Sequence, residues 1–90
     1  MAKIEFGLMM RGQYPQGESM AEKFGEICAQ ARLAEKLGFW CIVKGSHYAG
    51  APLQDLQQIP FLARIMAEAP NVRLVAGIVL LSLHKPLQIA

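Results

Sequence analysis

The stretch "GFWCIVKGSHYAG", Gly38–Gly50, decides the fold. Phe39–Val43 is apolar without interruption and rich in aromatic and β-branched residues. A strand with one wet face alternates apolar and polar side chains. A continuous run marks a strand covered on both faces, as in the interior of a parallel sheet. Lys44–Gly50 then turns to polar and small residues and sets a Ser-His-Tyr cluster at the strand's C-terminal end. Parallel α/β folds place their sites at that end.

Upstream, "AEKLG" closes a helix that opens at Ser19. Ser19 with Glu22 is a capping-box pattern. Met20, Phe24, Ile27, Cys28, Ala31 and Ala34 recur at helical spacing, with most charges off that face. Gly38 stands where a left-handed residue ends the helix. Before it, Lys3–Met10 reads as a first strand and Arg11–Glu18 as a loop. Downstream, Pro60 suits the first turn of a second helix, with Phe61, Leu62, Ile65 and Met66 as its stripe and Pro70-Asn71 as its end. Val72–Leu81 reads as a third strand, and Pro86 opens a third helix.

The order is strand, helix, strand, helix, strand, start of helix. Each crossover is long enough for a right-handed parallel βαβ unit. Three parallel strands leave two open edges. The expectation is therefore an α/β chain that forms the N-terminal β-α-β-α-β part of a TIM-type (βα)₈ barrel, incomplete at residue 90. A whole barrel takes about 250 residues. A small doubly wound domain is the alternative, and it needs at least one more strand.

Composition narrows the partners. The 90 residues are 53% hydrophobic and 18% charged, with a net charge of +2. That is globular rather than disordered. The charges are scattered and build no basic stripe for nucleic acid. No stretch approaches the ~20 apolar residues of a membrane span, and the N-terminus lacks a signal-peptide pattern, so the expected compartment is the cytoplasm. Cys28 and Cys41 lie in apolar stretches and read as buried thiols.

Chemistry is sparse. No Gly-rich dinucleotide fingerprint, phosphate loop, nucleophile elbow or metal-ligand pattern is present. The two histidines, His47 and His84, both follow strands. His47 is the stronger candidate for a working group, and His84 is not read as catalytic.

With these segments in place, "IEFGLMM", "AEKLGFWCIVKGSHY" and "NVRLVAGIVLLSLHKPLQIA" together resemble the opening of the bacterial luciferase-like flavin-dependent monooxygenases. Family members commonly read G-F-D-x-x-W-x-x-[DE]-H at the second strand. Gly38, Phe39 and His47 match, while Trp40, Val43 and Ser46 depart, the last replacing the acidic residue before the histidine. The resemblance implies a barrel in which residues 1–90 open a single domain and His47 is the catalytic histidine near the flavin. It implies a non-proline cis peptide at the third strand's end that supports the flavin ring, which assigns cofactor binding to Ala76, Gly77 and Ile78. The turn before the third helix matches at Pro86, with His84 shifted by one from the usual position.

The implied cofactor is reduced FMN, with the deazaflavin coenzyme as alternative. The implied partners are a small organic substrate, O₂, a flavin reductase and a second copy of the full-length chain. The implied activity is oxidation of that substrate. The alternative is a non-catalytic flavin-binding or partner subunit, with the 90-residue piece inactive by itself.

Overall fold

The computed structural model describes residues 2–90. Its elements are β1 (Gly7–Met10), α1 (Met20–Lys36), β2 (Cys41–Lys44), α2 (Gln58–Glu68), β3 (Arg73–Ala76), a 3-10 turn at Leu81–Leu83, and α3 (Pro86–Ile89). The strands form one parallel sheet in the order β1-β2-β3, with Gly7 opposite Cys41 and Cys41 opposite Arg73. Strand order that advances in one direction with right-handed crossovers keeps both helices on one face. That is barrel winding; a doubly wound sheet would reverse direction.

Each boundary has a local cause. Ser19 Oγ accepts from the Glu22 N–H at 3.3 Å, the Ser half of the capping box. At the other end of α1, Gly38 has φ +84°, its N–H reaches Glu35 O at 3.1 Å, and Phe39 N–H reaches Ala34 O at 3.0 Å. That double closure is a Schellman cap, and it needs the left-handed residue that glycine supplies. The turn delivers the chain straight into β2.

The core lies between sheet and helices. Ile27, Cys28, Ala31 and Ala34 of α1 and Phe61, Leu62 and Ile65 of α2 cover Met10 and Ile42. Ile42, Ala31 and Ile65 are fully buried. Phe24 meets Phe61 edge to face at 5.9 Å. Glu68 of α2 bonds both Arg32 and Arg64, and Glu35 accepts from the backbone and side chain of Asn71. These surface ties add little beside the apolar core.

Several expected bounds differ. β1 begins at Gly7 rather than Lys3, because upstream of Cys41 the neighbouring chain is still turning out of α1; only Phe6 O gains a partner, the Trp40 N–H at 2.8 Å. β2 runs two residues later than Phe39 at its start and includes Lys44. β3 stops at Ala76, five residues short of Leu81, because its partner strand ends at Lys44. α2 begins at Gln58, so Pro60 is third in the helix, and Met66 is exposed rather than part of the buried stripe. Among the described residues no helix is long and apolar enough to cross a membrane.

Candidate functional site

The C-terminal ends of β1, β2 and β3 surround a cleft of about 340 Å³. Met9, Met10 and Arg11 come from β1 and its exit, Gly45, Ser46 and His47 from the β2 exit, and Gly77 and Ile78 from the β3 exit. The structure thus brings His47, Gly77 and Ile78 to one place. Ala76 is half-buried on the helix side of the sheet, packed against the core, and does not line the cleft. The Gly77–Ile78 peptide is cis, as the family resemblance implies. A second cleft, of about 540 Å³, lies on the other side of His47 and includes Tyr48, Ile59, Leu83 and His84.

Glycine shapes the first cleft. A Cβ on Gly45 would lie 3.6 Å from Gly77 O and 3.7 Å from His47 Cε1, filling the gap between the β3 backbone and the imidazole. A Cβ on Gly77 would lie 2.9 Å from Val43 Cγ1, closer than packed carbons approach. Bare backbone therefore forms the floor, Met9 and Ile78 supply apolar wall, and Arg11, Gln13, Ser46 and His47 make the polar rim.

Beneath the rim is a charged network that the sequence did not disclose. Lys44, the last residue of β2, is only 1% exposed. Its Nζ donates to Asp55 Oδ1 at 2.9 Å and to Gly45 O at 3.2 Å, and it sits 5.6 Å from the Phe61 ring centroid. Asp55 Oδ2 meets His47 Nδ1 at 2.9 Å, and the Leu56 N–H donates to Asp55 Oδ1 at 2.8 Å. Burial alone would push the Asp55 carboxyl up. Hydrogen bonds from Lys44 and His47, the Lys44 charge and the Leu56 N–H outweigh burial and hold it below the ordinary carboxylate value.

Asp55 reaches this position because two loops are stitched together. Tyr14 and Gln54 exchange both backbone hydrogen bonds, at 2.9 and 2.7 Å, joining the β1–α1 loop to the β2–α2 loop. Gln54 Nε2 adds bonds to Pro15 O at 2.8 Å and Glu18 O at 3.1 Å. Gly12 is buried against the ion pair; a Cβ there would stand 3.1 Å from Asp55 Oδ1 and 3.5 Å from Lys44 Cε.

Gln58 is the second unforeseen residue. Its buried amide donates to Lys44 O and to Ile78 O, each at 2.9 Å. One side chain thus ties the end of β2 to the residue after Gly77. The signal was available: Gln58 stands three, four and seven residues before Phe61, Leu62 and Ile65, on the buried stripe of α2. Asp55 had a weaker one, as the only aspartate in the chain.

The winding and the mouth define a (βα)-barrel segment with its site at the strand ends. The family model for luciferase-like monooxygenases matches residues 4–90, and the chain belongs to that family. Among solved structures, the crystal structure of apo-MsnO8 is similar at 28% identity with a TM-score of 0.75, over 98% of this chain and 27% of that one. The chain therefore spans about a quarter of the length of the structure it matches. No curated protein matches it.

Proposed function

We propose that the whole protein is a flavin-dependent monooxygenase or oxidoreductase that uses reduced FMN and O₂ to oxidise a small organic substrate, with the deazaflavin coenzyme as the alternative cofactor. The observation that carries this reading is the glycine floor of the cleft facing His47. Bare backbone at Gly45 and Gly77, with Met9 and Ile78 beside it, fits one face of a flat conjugated ring. The polar rim fits the ring's hydrogen-bonding edge. A bound reduced flavin supplies the electrons with which O₂ is activated. The chain's own part is to seat the ring on Gly77 and Ile78, to keep the apolar wall dry, and to place the His47 imidazole where its free nitrogen can take up a proton from the reacting centre.

Ser46, in place of the family's acidic residue, motivates the second reading, a subunit that binds flavin without turning over. Asp55 favours the first, because it gives His47 a carboxylate from further along the same β2–α2 loop. The test is His47→Ala in the full-length protein supplied with reduced FMN and O₂. Flavin affinity is expected to hold while turnover falls by about 10²-fold or more. Undiminished turnover with flavin bound would refute the role of His47.

A further inference from the structure

Which nitrogen of His47 carries the proton sets what the ring offers to a ligand. Nδ1 lies 2.9 Å from Asp55 Oδ2. An ionised carboxylate only accepts, so Nδ1 is the donor, and the neutral ring keeps its lone pair on Nε2. Nε2 has no hydrogen-bond partner among the described residues. Asp55 has little freedom to choose otherwise. Its Oδ1 takes Lys44 Nζ at 2.9 Å and the Leu56 N–H at 2.8 Å, and Gly12 packs against the same oxygen. That leaves Oδ2 for the imidazole.

We propose that Asp55 is a positioning residue for His47: it selects the Nδ1–H tautomer and leaves Nε2 as the ring's free acceptor, with buried Lys44 fixing the carboxylate that does so. The functional meaning of this assignment rests on the flavin reading above; the tautomer does not.

The amide of an Asp55→Asn variant has one orientation open to it. Two donors converge on the Oδ1 position, so the amide oxygen must stay there. The NH₂ group then faces His47 Nδ1 and turns it into an acceptor. Long-range ¹H–¹⁵N spectra of the imidazoles in the full chain, at a pH where the ring is neutral, read this directly. The expected result is Nδ1–H in the wild type and Nε2–H in Asp55→Asn. A wild-type ring in the Nε2–H form, or an unchanged tautomer in the variant, overturns the proposal. If the variant does not fold, the wild-type spectrum alone decides. In the flavin-loaded protein, Asp55→Asn should lower turnover about 10²-fold with flavin affinity unchanged; wild-type turnover in the variant would also overturn the positioning role. A wild type that binds no flavin refutes the proposed function and leaves the tautomer measurement to decide Asp55.

Discussion

Gln58→Leu removes the clamp between β2 and the β3 exit while keeping the side chain's bulk. Two hydrogen bonds of 2.9 Å are lost, to Lys44 O and Ile78 O. Lys44 O still accepts from the Gly77 N–H at 3.0 Å, and Ile78 is largely exposed, so water can replace its lost donor. The cost is that of two ordinary bonds rather than two orphaned groups, about 1–2 kcal/mol. Gln58→Glu is a sharper perturbation of the same shape. It aims a buried carboxylate at two carbonyl oxygens that have no proton to give, and an uncompensated buried charge costs about 3 kcal/mol or more. Such a carboxyl is easier to bury protonated, so its native pKa lies above its unfolded one. The variant's deficit is then largest at neutral pH and shrinks as pH falls. Urea unfolding of the full chain followed by circular dichroism at pH 7 and pH 5 measures both effects. Gln58→Leu should move the midpoint down by roughly 1 M. Gln58→Glu should be worse at pH 7 and approach Gln58→Leu at pH 5. Equal stability of the two variants at pH 7 would refute the buried double donation.

Asp55→Ala strands the Lys44 ammonium, 1% exposed, and should cost about 3 kcal/mol in denaturant unfolding; adding Lys44→Met should restore most of it, because an apolar pair needs no counter-charge. The native Asp55 carboxyl is held below its unfolded value, so its contribution is fully present above the ordinary carboxylate pKa and is lost as pH falls through the native one. The stability of Asp55→Asn should accordingly fall less than that of the wild type below about pH 4, as read by unfolding at stepped pH. Gly7→Ala places a Cβ 2.6 Å from Cys41 Sγ and should cost about 1–3 kcal/mol, with Cys41→Ala in the same chain recovering most of the loss.

Local chemistry was legible wherever the cause lies within a few residues. The uninterrupted run at Phe39–Val43 marked a buried central strand, and Ser19 and Gly38 marked the ends of α1, because caps and two-sided burial leave short-range signatures. The ends of β1 and β3 were overdrawn for one reason: a strand is only as long as its neighbour, and β2 has four residues. Lys44 looked like the first residue of a loop because a lysine ends the apolar run. It is buried because Asp55, eleven positions on, is brought to it. Nothing in the local sequence announces that pairing. His47, Gly77 and Ile78 were legible through the family resemblance and meet at one cleft, whereas Ala76 faces the helices.

The Tyr14–Gln54 bridge, with Gly12 seated on the Asp55 carboxylate, makes the first two mouth loops inseparable for anyone exchanging parts between homologous barrels. A β2–α2 loop transplanted alone would carry His47 and Asp55 away from the Tyr14 backbone and the Gly12 hollow that hold the carboxylate here. The unit that can be moved intact runs from Met10 to Gln58, with α1 inside it, so the imidazole's surroundings are inherited as a block.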